Sequence, residues 1–244
     1  MSYLDIVDGK SLENIVEDKD KNEDKDKNNK NTEEKIEIKK PQPPKKVFIV
    51  PYRGRPEQKF FFCKYMHFIL ENKESCLESQ EDTSLDKEET KKEKETKKEE
   101  TKEKDYEIYF SHQYDSRYFN RGATKNIGFL AVKEKYPEDY KNITFIFNDI
   151  DTVPFHNIFT YDTTPGVVKH YYGFEYALGG IVVIKGGDFE LVNGYPCLWG
   201  WGMEDTVLQK RCLDCGIHID RSDFYPIGSP EILQLFDGVE RLMN

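Results

Sequence analysis

The sequence has no long hydrophobic run. Nothing in its 244 residues approaches the ~18 consecutive apolar residues of a membrane helix. No apolar core follows the first residues, as it does in a secretory signal. The expectation is a chain with no membrane span and no standard export signal. Basic charge is also short: 36 Lys and Arg stand against 46 Asp and Glu, a net −10. That balance argues against a nucleic-acid binder driven by phosphate neutralisation. Five unevenly placed Cys do not form a disulfide framework, so a reducing, cytoplasmic compartment is expected. Also missing are a Gly-x-Ser-x-Gly elbow, a phosphate-loop Lys and a metalloprotease His pair.

Apolar residues make up only 37% of the chain, and the shortage is uneven. Residues 1–46 hold 12 acids and 11 bases, with almost no large apolar side chain after Val16. They read as a charged N-terminal tail, disordered at least from Glu17 to Lys40, because such a composition cannot offset chain entropy. Residues 71–104 hold 13 acids, 9 bases and no aromatic, and read as a charged low-complexity insertion. The rest of 47–244 carries both Trp and every Phe, enough for one core.

In that remainder, strand-like and helix-like segments alternate. Val47–Val50, Tyr106–Phe110, Ile143–Phe147 and Gly180–Ile184 read as strands. Glu57–Leu70, with Phe61, Tyr65, Phe68 and Ile69 on one face, reads as a helix. Thr124–Lys135 is a second, with Ile127, Leu130 and Ala131 at helical spacing, and Glu204–Cys215 a third, closed by Gly216. This alternation predicts an α/β domain with a mixed, mostly parallel central sheet flanked by helices. Ligands of such sheets sit beyond the carboxyl ends of the strands, where Asp149 and Asp151 fall.

Two short carboxylates at i and i+2 after a strand suit a divalent cation bridging to a polyphosphate. The same spacing at Asp18/Asp20 and Asp24/Asp26 lies in the charged tail and reflects composition. Leu198-Trp-Gly-Trp-Gly-Met-Glu-Asp205 offers flat indoles for sugar stacking and two acids at a helix start. There Asp205 suits either a general base or a helix cap. Arg53 and Arg55, just past the first strand, suit phosphate oxygens or a solvated turn. Arg121 suits the same phosphates or a surface acid. Cys212 and Cys215 read as structural thiols. His156 and His170 read as satisfied residues rather than metal ligands.

Taken in register, these segments resemble the β-1,4-galactosyltransferase family, metal-dependent inverting glycosyltransferases of the GT-A fold. The likeness rests on Val-Pro-Tyr-Arg-Gly-Arg (50–55), Phe-Asn-Arg-Gly-Ala-Thr-Lys-Asn-Ile-Gly-Phe (119–129) and Asn-Asp-Ile-Asp-Thr-Val-Pro (148–154). It rests equally on Gly-Gly-Ile-Val-Val-Ile (179–184), Asn-Gly-Tyr-Pro (193–196) and Trp-Gly-Trp-Gly-Met-Glu-Asp (199–205). The resemblance implies that Arg53, Arg55 and Arg121 contact the nucleotide diphosphate of a UDP-sugar and that Asp149 touches the donor. Asp151 is then the Mn²⁺ ligand, Gly179 and Gly180 line the donor sugar, and Trp201 lies along donor and acceptor sugars. Asp205 is implied as the base, with Glu204 holding sugar hydroxyls. The implied reaction moves galactose, or a related hexose such as N-acetylgalactosamine, to a sugar hydroxyl of a carbohydrate or glycoconjugate acceptor, with inversion.

Three departures stand out. Met203 replaces a Gly and Thr206 a third acid. The family's further His ligand has no counterpart after His218, where Asp237 is the nearby ligand type. Ala177 stands where a bulky aromatic is expected, leaving room for an N-acetyl group. Two other readings compete: a catalytically impaired glycan-binding or scaffold protein of the same fold, and a haloacid-dehalogenase-like phosphatase with Asp149 as nucleophile.

Overall fold

The computed structural model describes residues 2–7, 42–71 and 105–235. The segment read as disordered (17–40) and Asp237 lie outside the described residues, as does the charged insertion read at 71–104 except for Glu71, which ends a helix. Within the expected tail, however, Ser2–Val7 forms a strand, β1. Its Tyr-Leu-Asp-Ile-Val stretch is apolar enough to pair, a local feature hidden by the tail's average composition.

The chain continues through β2 (Lys46–Tyr52), α1 (Pro56–Glu71), β3 (Tyr106–Gln113), α2 (Arg121–Lys135), β4 (Thr144–Asn148) and β5 (Thr152–Pro154). It then forms β6 (Val167–Gly173), β7 (Ile181–Lys185), α3 (Gly186–Leu191) and α4 (Glu204–Asp214). Three short strands close it: β8 (His218–Asp220), β9 (Tyr225–Pro226) and β10 (Ile232–Gln234). The main sheet runs β1-β3-β2-β4-β7-β6-β8, with β9 beside β6, and β10 pairs β5 separately. β2 is parallel to β3 and β4, whereas β7 is antiparallel to both β4 and β6.

Alternation along the central strands divides the core in two. Val47, Ile49, Phe145, Phe147, Val182 and Ile184 face one side, where Phe129 and Val132 of α2, Phe189 of α3 and Leu208 of α4 meet them. Phe48, Val50, Ile146, Ile181 and Val183 face the other, against Phe62, Met66 and Ile69 of α1. Both faces are covered, so these strands are apolar throughout. Each fully buried Phe contributes roughly 1.5–3 kcal/mol by the area it removes from water.

The helix faces differ from those expected. On α1 the buried stripe is Phe62, Met66 and Ile69, while Phe61 and Tyr65 stack beside it and Phe68 is exposed. On α2, Ile127 and Leu130 are exposed, and Gly122, Thr124, Lys125, Gly128, Phe129 and Val132 are buried. Close approach decides this: a Cβ at Gly128 would lie 2.5 Å from Ile49 Cγ2, so only the glycine face reaches the sheet. The helix also begins at Arg121, three residues earlier than expected, because Asn120 Oδ1 accepts from the Ala123 amide at 2.9 Å. The described cysteines, Cys63, Cys197, Cys212 and Cys215, are free thiols. Burial pushes Cys212 up to about 12, in keeping with a structural role.

Candidate active site

Five chain segments converge at one edge of the sheet. β2 and β4 are parallel, so their carboxyl ends deliver Arg53, Arg55, Asp149 and Asp151 together. β7 runs the opposite way, so the start of that strand, Gly179-Gly180, arrives at the same edge. The Asp149 amide donates to Gly180 O at 3.0 Å and fastens the two ends. Buried Asn148 staples the turn between the aspartates, its Nδ2 donating to Asp149 O and Thr152 O at 2.8 and 2.7 Å. α2 and α4 complete the edge with their first turns.

Arg121 is the hub. Its Nε donates to Glu204 Oε1 at 2.8 Å, its Nη1 to Asp149 Oδ2 at 2.6 Å, and its Nη2 to Asp205 Oδ2. Expected at the diphosphate, it borders the cleft but commits its fork to three acids. Burial opposes its charge, yet Asp149, Asp205 and Glu204 outweigh that and raise its pKa. One turn later the Lys125 side chain is fully buried, with Nζ 3.4 Å from Asp149 Oδ1 and 3.6 Å from Asp205 Oδ1.

The two aspartates are pushed apart in acidity. Burial raises both, but at Asp149 the Arg121 and Lys125 charges prevail and its pKa falls below the usual value. At Asp205 burial prevails over Lys125 and Arg121, helped by the neighbouring charges of Asp149 and Glu204, and the pKa rises. Paired carboxylates with opposed shifts are the electrostatic pattern of divided acid–base roles. They also leave Asp149 held between two cations, poorly arranged as a phosphatase nucleophile.

Beside Asp205 the backbone must be glycine. A Cβ at Gly179 would lie 2.5 Å from Asp205 Oδ2, and Gly180 takes φ +68 with Tyr172 O 2.3 Å from its would-be Cβ. His170 supports this turn, its Nε2 lying 3.0 Å from both Tyr172 O and Gly179 O. Arg221 Nε donates to His170 Nδ1 at 3.0 Å, so the ring proton resides on Nε2. Arg221 Nη2 then reaches Gln209 on α4 at 2.7 Å. His170 is thus a satisfied buried residue, and burial, with the Arg221 charge, lowers its pKa to about 4.

A cleft of about 300 Å³ opens here, lined by Arg53, Arg55, Phe119, Asp149, Asp151 and Trp201. Trp201 is 93% exposed, with the Gly200 amide tied to Phe119 O at 3.1 Å. Met203, which replaces the Gly of the resemblance, takes φ +71, a left-handed conformation costly for a side chain. Asp151 pairs with Arg55 Nη1 at 2.5 Å. Among the described residues, no three His, Cys, Asp or Glu are gathered as a metal shell. The donor chemistry still fits Mn²⁺ or Mg²⁺: Asp151 presents a hard carboxylate at the cleft, and the remaining ligands would have to come from a bound diphosphate and water.

Lys125, Asn148, Asn126 and the His170–Arg221–Gln209 chain escape a reading of the sequence for function. Only Lys125 left a signal, a charge between Thr124 and Phe129 on the buried face of its helix. Asn126 joins two motifs: its Nδ2 donates to Tyr195 O at 2.8 Å, and its Oδ1 accepts from the Tyr195 amide at 3.0 Å.

Residues 166–233 match the model of the family described as the N-terminal domain of galactosyltransferase. Human β-1,4-galactosyltransferase 4 is 32% identical over 177 residues, covering 67% of this chain and 41% of that protein. The chain belongs to the β-1,4-galactosyltransferase family. Human β-1,4-galactosyltransferase 1 is 26% identical over 189 residues, so the chain spans 39% of the length of that relative. The catalytic domain of Drosophila β-1,4-galactosyltransferase 7, crystallised with xylobiose, superposes with a TM-score of 0.60 at 19% identity, over 82% of this chain and 73% of that one. A mutant of the same enzyme, crystallised with manganese, UDP-Gal and xylobiose, gives the same score. The galactosyltransferase fold therefore accounts for the mixed sheet and its antiparallel β7. No helix among the described residues is long and apolar enough to cross a membrane.

Proposed function

We propose that this galactosyltransferase-family chain transfers galactose, or N-acetylgalactosamine, from a UDP-sugar to a sugar hydroxyl with inversion and with Mn²⁺. The observation that carries the reading is Asp205, a carboxylate of raised proton affinity packed against Gly179 and bonded to Arg121, one of the arginines that line the cleft. Arg53 and Arg55 face the donor diphosphate, and Asp149 holds the donor. Asp151 is the residue that would bind the cation, which when bound neutralises charge on the departing diphosphate. Gly179 and Gly180 let the donor sugar lie against backbone, and Trp201 covers the sugars from the solvent side.

The acceptor oxygen attacks the anomeric carbon as the bond to the UDP oxygen breaks on the opposite face, and the hydroxyl proton passes to Asp205. Glu204 Oε2, buried and without a hydrogen-bond partner, is available to a sugar hydroxyl. The small side chain of Ala177, just before the glycine pair, is the reason N-acetylgalactosamine stands among the donors. The free thiols among the described residues support a reducing, cytoplasmic setting.

The test is UDP release from UDP-galactose, UDP-N-acetylgalactosamine and other UDP-sugars, with an acceptor-sugar panel, in Mn²⁺ and in chelator. The parent is compared with Asp151→Asn and Asp205→Asn, all shown to be folded. Metal-dependent release is expected, abolished in the first variant. In the second, kcat should fall about 10²–10⁴-fold, as for loss of a general base. Sugar binding without release from any donor–acceptor pair would establish the scaffold reading instead.

A further inference from the structure

Lys125 belongs to none of the roles just assigned, yet it occupies the centre of the site. Its side chain is fully buried, its ammonium makes no hydrogen bond, and it lies 4.6 Å from the centre of the Tyr195 ring. A buried ammonium is costly unless its charge is compensated, and the ion pairs with Asp149 and Asp205, at 3.4 and 3.6 Å, supply that compensation.

The contacts divide by oxygen atom. Arg121 takes Oδ2 of Asp149 and Oδ2 of Asp205, while Lys125 faces Oδ1 of each. At 3.6 Å the Lys125 charge stabilises Asp205 Oδ1 without a hydrogen bond that would occupy its lone pairs. Oδ2, tied to Arg121 and wedged against Gly179, is not free to take a proton. Three acids, Asp149, Glu204 and Asp205, stand against two cations, Arg121 and Lys125, with Tyr195 the neighbouring neutral ring. Arg55 is paired separately with Asp151. Removing one cation leaves two excess negative charges in a largely buried cluster, and proton uptake by one acid is the cheapest relief.

We infer that Lys125 is a positioning residue that keeps Asp205 ionised and leaves its Oδ1 as the proton-accepting atom. The inference rests on the transferase reading for its catalytic meaning, but its electrostatic core has an independent readout. In the parent, transfer breaks the acceptor O–H bond and forms Asp205 Oδ1–H while UDP carries away the bonding pair. Without Lys125 the Asp205 carboxyl holds its proton to higher pH, and in the protonated form it is no base for the acceptor hydroxyl.

The experiment uses Lys125→Met, which keeps the length of the stem. Lys125→Gln serves if the Met chain does not fold. Thermal midpoints of parent and variant are measured at pH 5 and pH 8. Raising a folded-state acid pKa costs nothing at pH below both values and progressively more as pH rises through the interval. The gap between parent and variant should therefore widen at pH 8. A purely packing role gives the same gap at both pH values, and that result overturns the inference. In turnover assays the acid limb of kcat should move up by at least about one pH unit in the variant, with activity largely recovered at pH 9. A uniform loss at every pH also overturns it. A widening gap with no turnover by the parent leaves Lys125 as a charge that keeps this acid cluster ionised while removing the transferase reading and the role given to Asp205.

Discussion

Asp205 and His170 differ in what burial does to them. Burial raises the proton affinity of the carboxyl against the pull of Lys125 and Arg121, whereas the imidazole, buried and locked by Arg221 as an acceptor at Nδ1, stays neutral. The sign for His170 follows from its depressed value. With a folded pKa of about 4 against 6.5 unfolded, its contribution to stability is fully present above pH 6.5 and is lost as pH falls toward 4. Loss of the whole interval amounts to roughly 3 kcal/mol. Urea unfolding of the parent should weaken over that range, and His170→Gln should show a flatter profile from a lower start. A parent profile as flat as the variant's would refute the assignment. His170 reads in the sequence as one more lone histidine, because its partners are Gly179, Tyr172 and Arg221, up to 51 residues away.

The contiguous motifs were legible because each sits on one turn: Asn148–Asp151 at the end of β4, Glu204-Asp205 at the start of α4, and Gly179-Gly180 before β7. What joins one element to another was not. α2 was visible as a helix, but its buried face depends on the backbone it approaches. Gly122 shows this most sharply, since a Cβ there would lie 2.1 Å from Pro196 O. Two of the sequence motifs, 119–129 and 193–196, are therefore halves of one contact, with Gly122 and Asn126 a turn apart. Gly122→Ala must push the 193–196 turn away and is expected to cost about 1–3 kcal/mol by overpacking. It should lower activity too, because Arg121 moves with it. An unchanged melting temperature would show that the contact is not tight. β6 escaped the strand reading because Lys169 and His170 interrupt its apolar run, and their partners, Asp220, Asp223 and Arg221, come from the far end of the chain.

At the scale of the molecule, the fold closes across the charged block that follows α1. The Tyr106 hydroxyl bonds Glu71 Oε1 at 3.3 Å and lies 2.8 Å from His67 Nδ1, so the end of α1 and the start of β3 are neighbours. A connection between two points already in contact needs few residues, and shortening it reduces the entropy of closure slowly. Replacing 72–104 with a short Gly/Ser linker should therefore preserve UDP binding by calorimetry and leave the thermal midpoint unchanged or slightly higher. A collapse of either would show that this block carries part of the fold. The net charge was no guide to this edge of the sheet, because the cleft assembles Arg53 and Arg55 from a chain that is acidic as a whole.

The six residues of β1 lie antiparallel along β3, from Ser2 opposite Gln113 to Val7 opposite Ile108. Without them β3 becomes the outermost strand, offering a row of unpaired amides on Tyr-Glu-Ile-Tyr-Phe-Ser-His-Gln, a β-prone sequence without proline. Such a rim templates the addition of a strand from another molecule, the first step toward cross-β aggregates. Pairing with β1 thus covers a rim that would otherwise favour self-association.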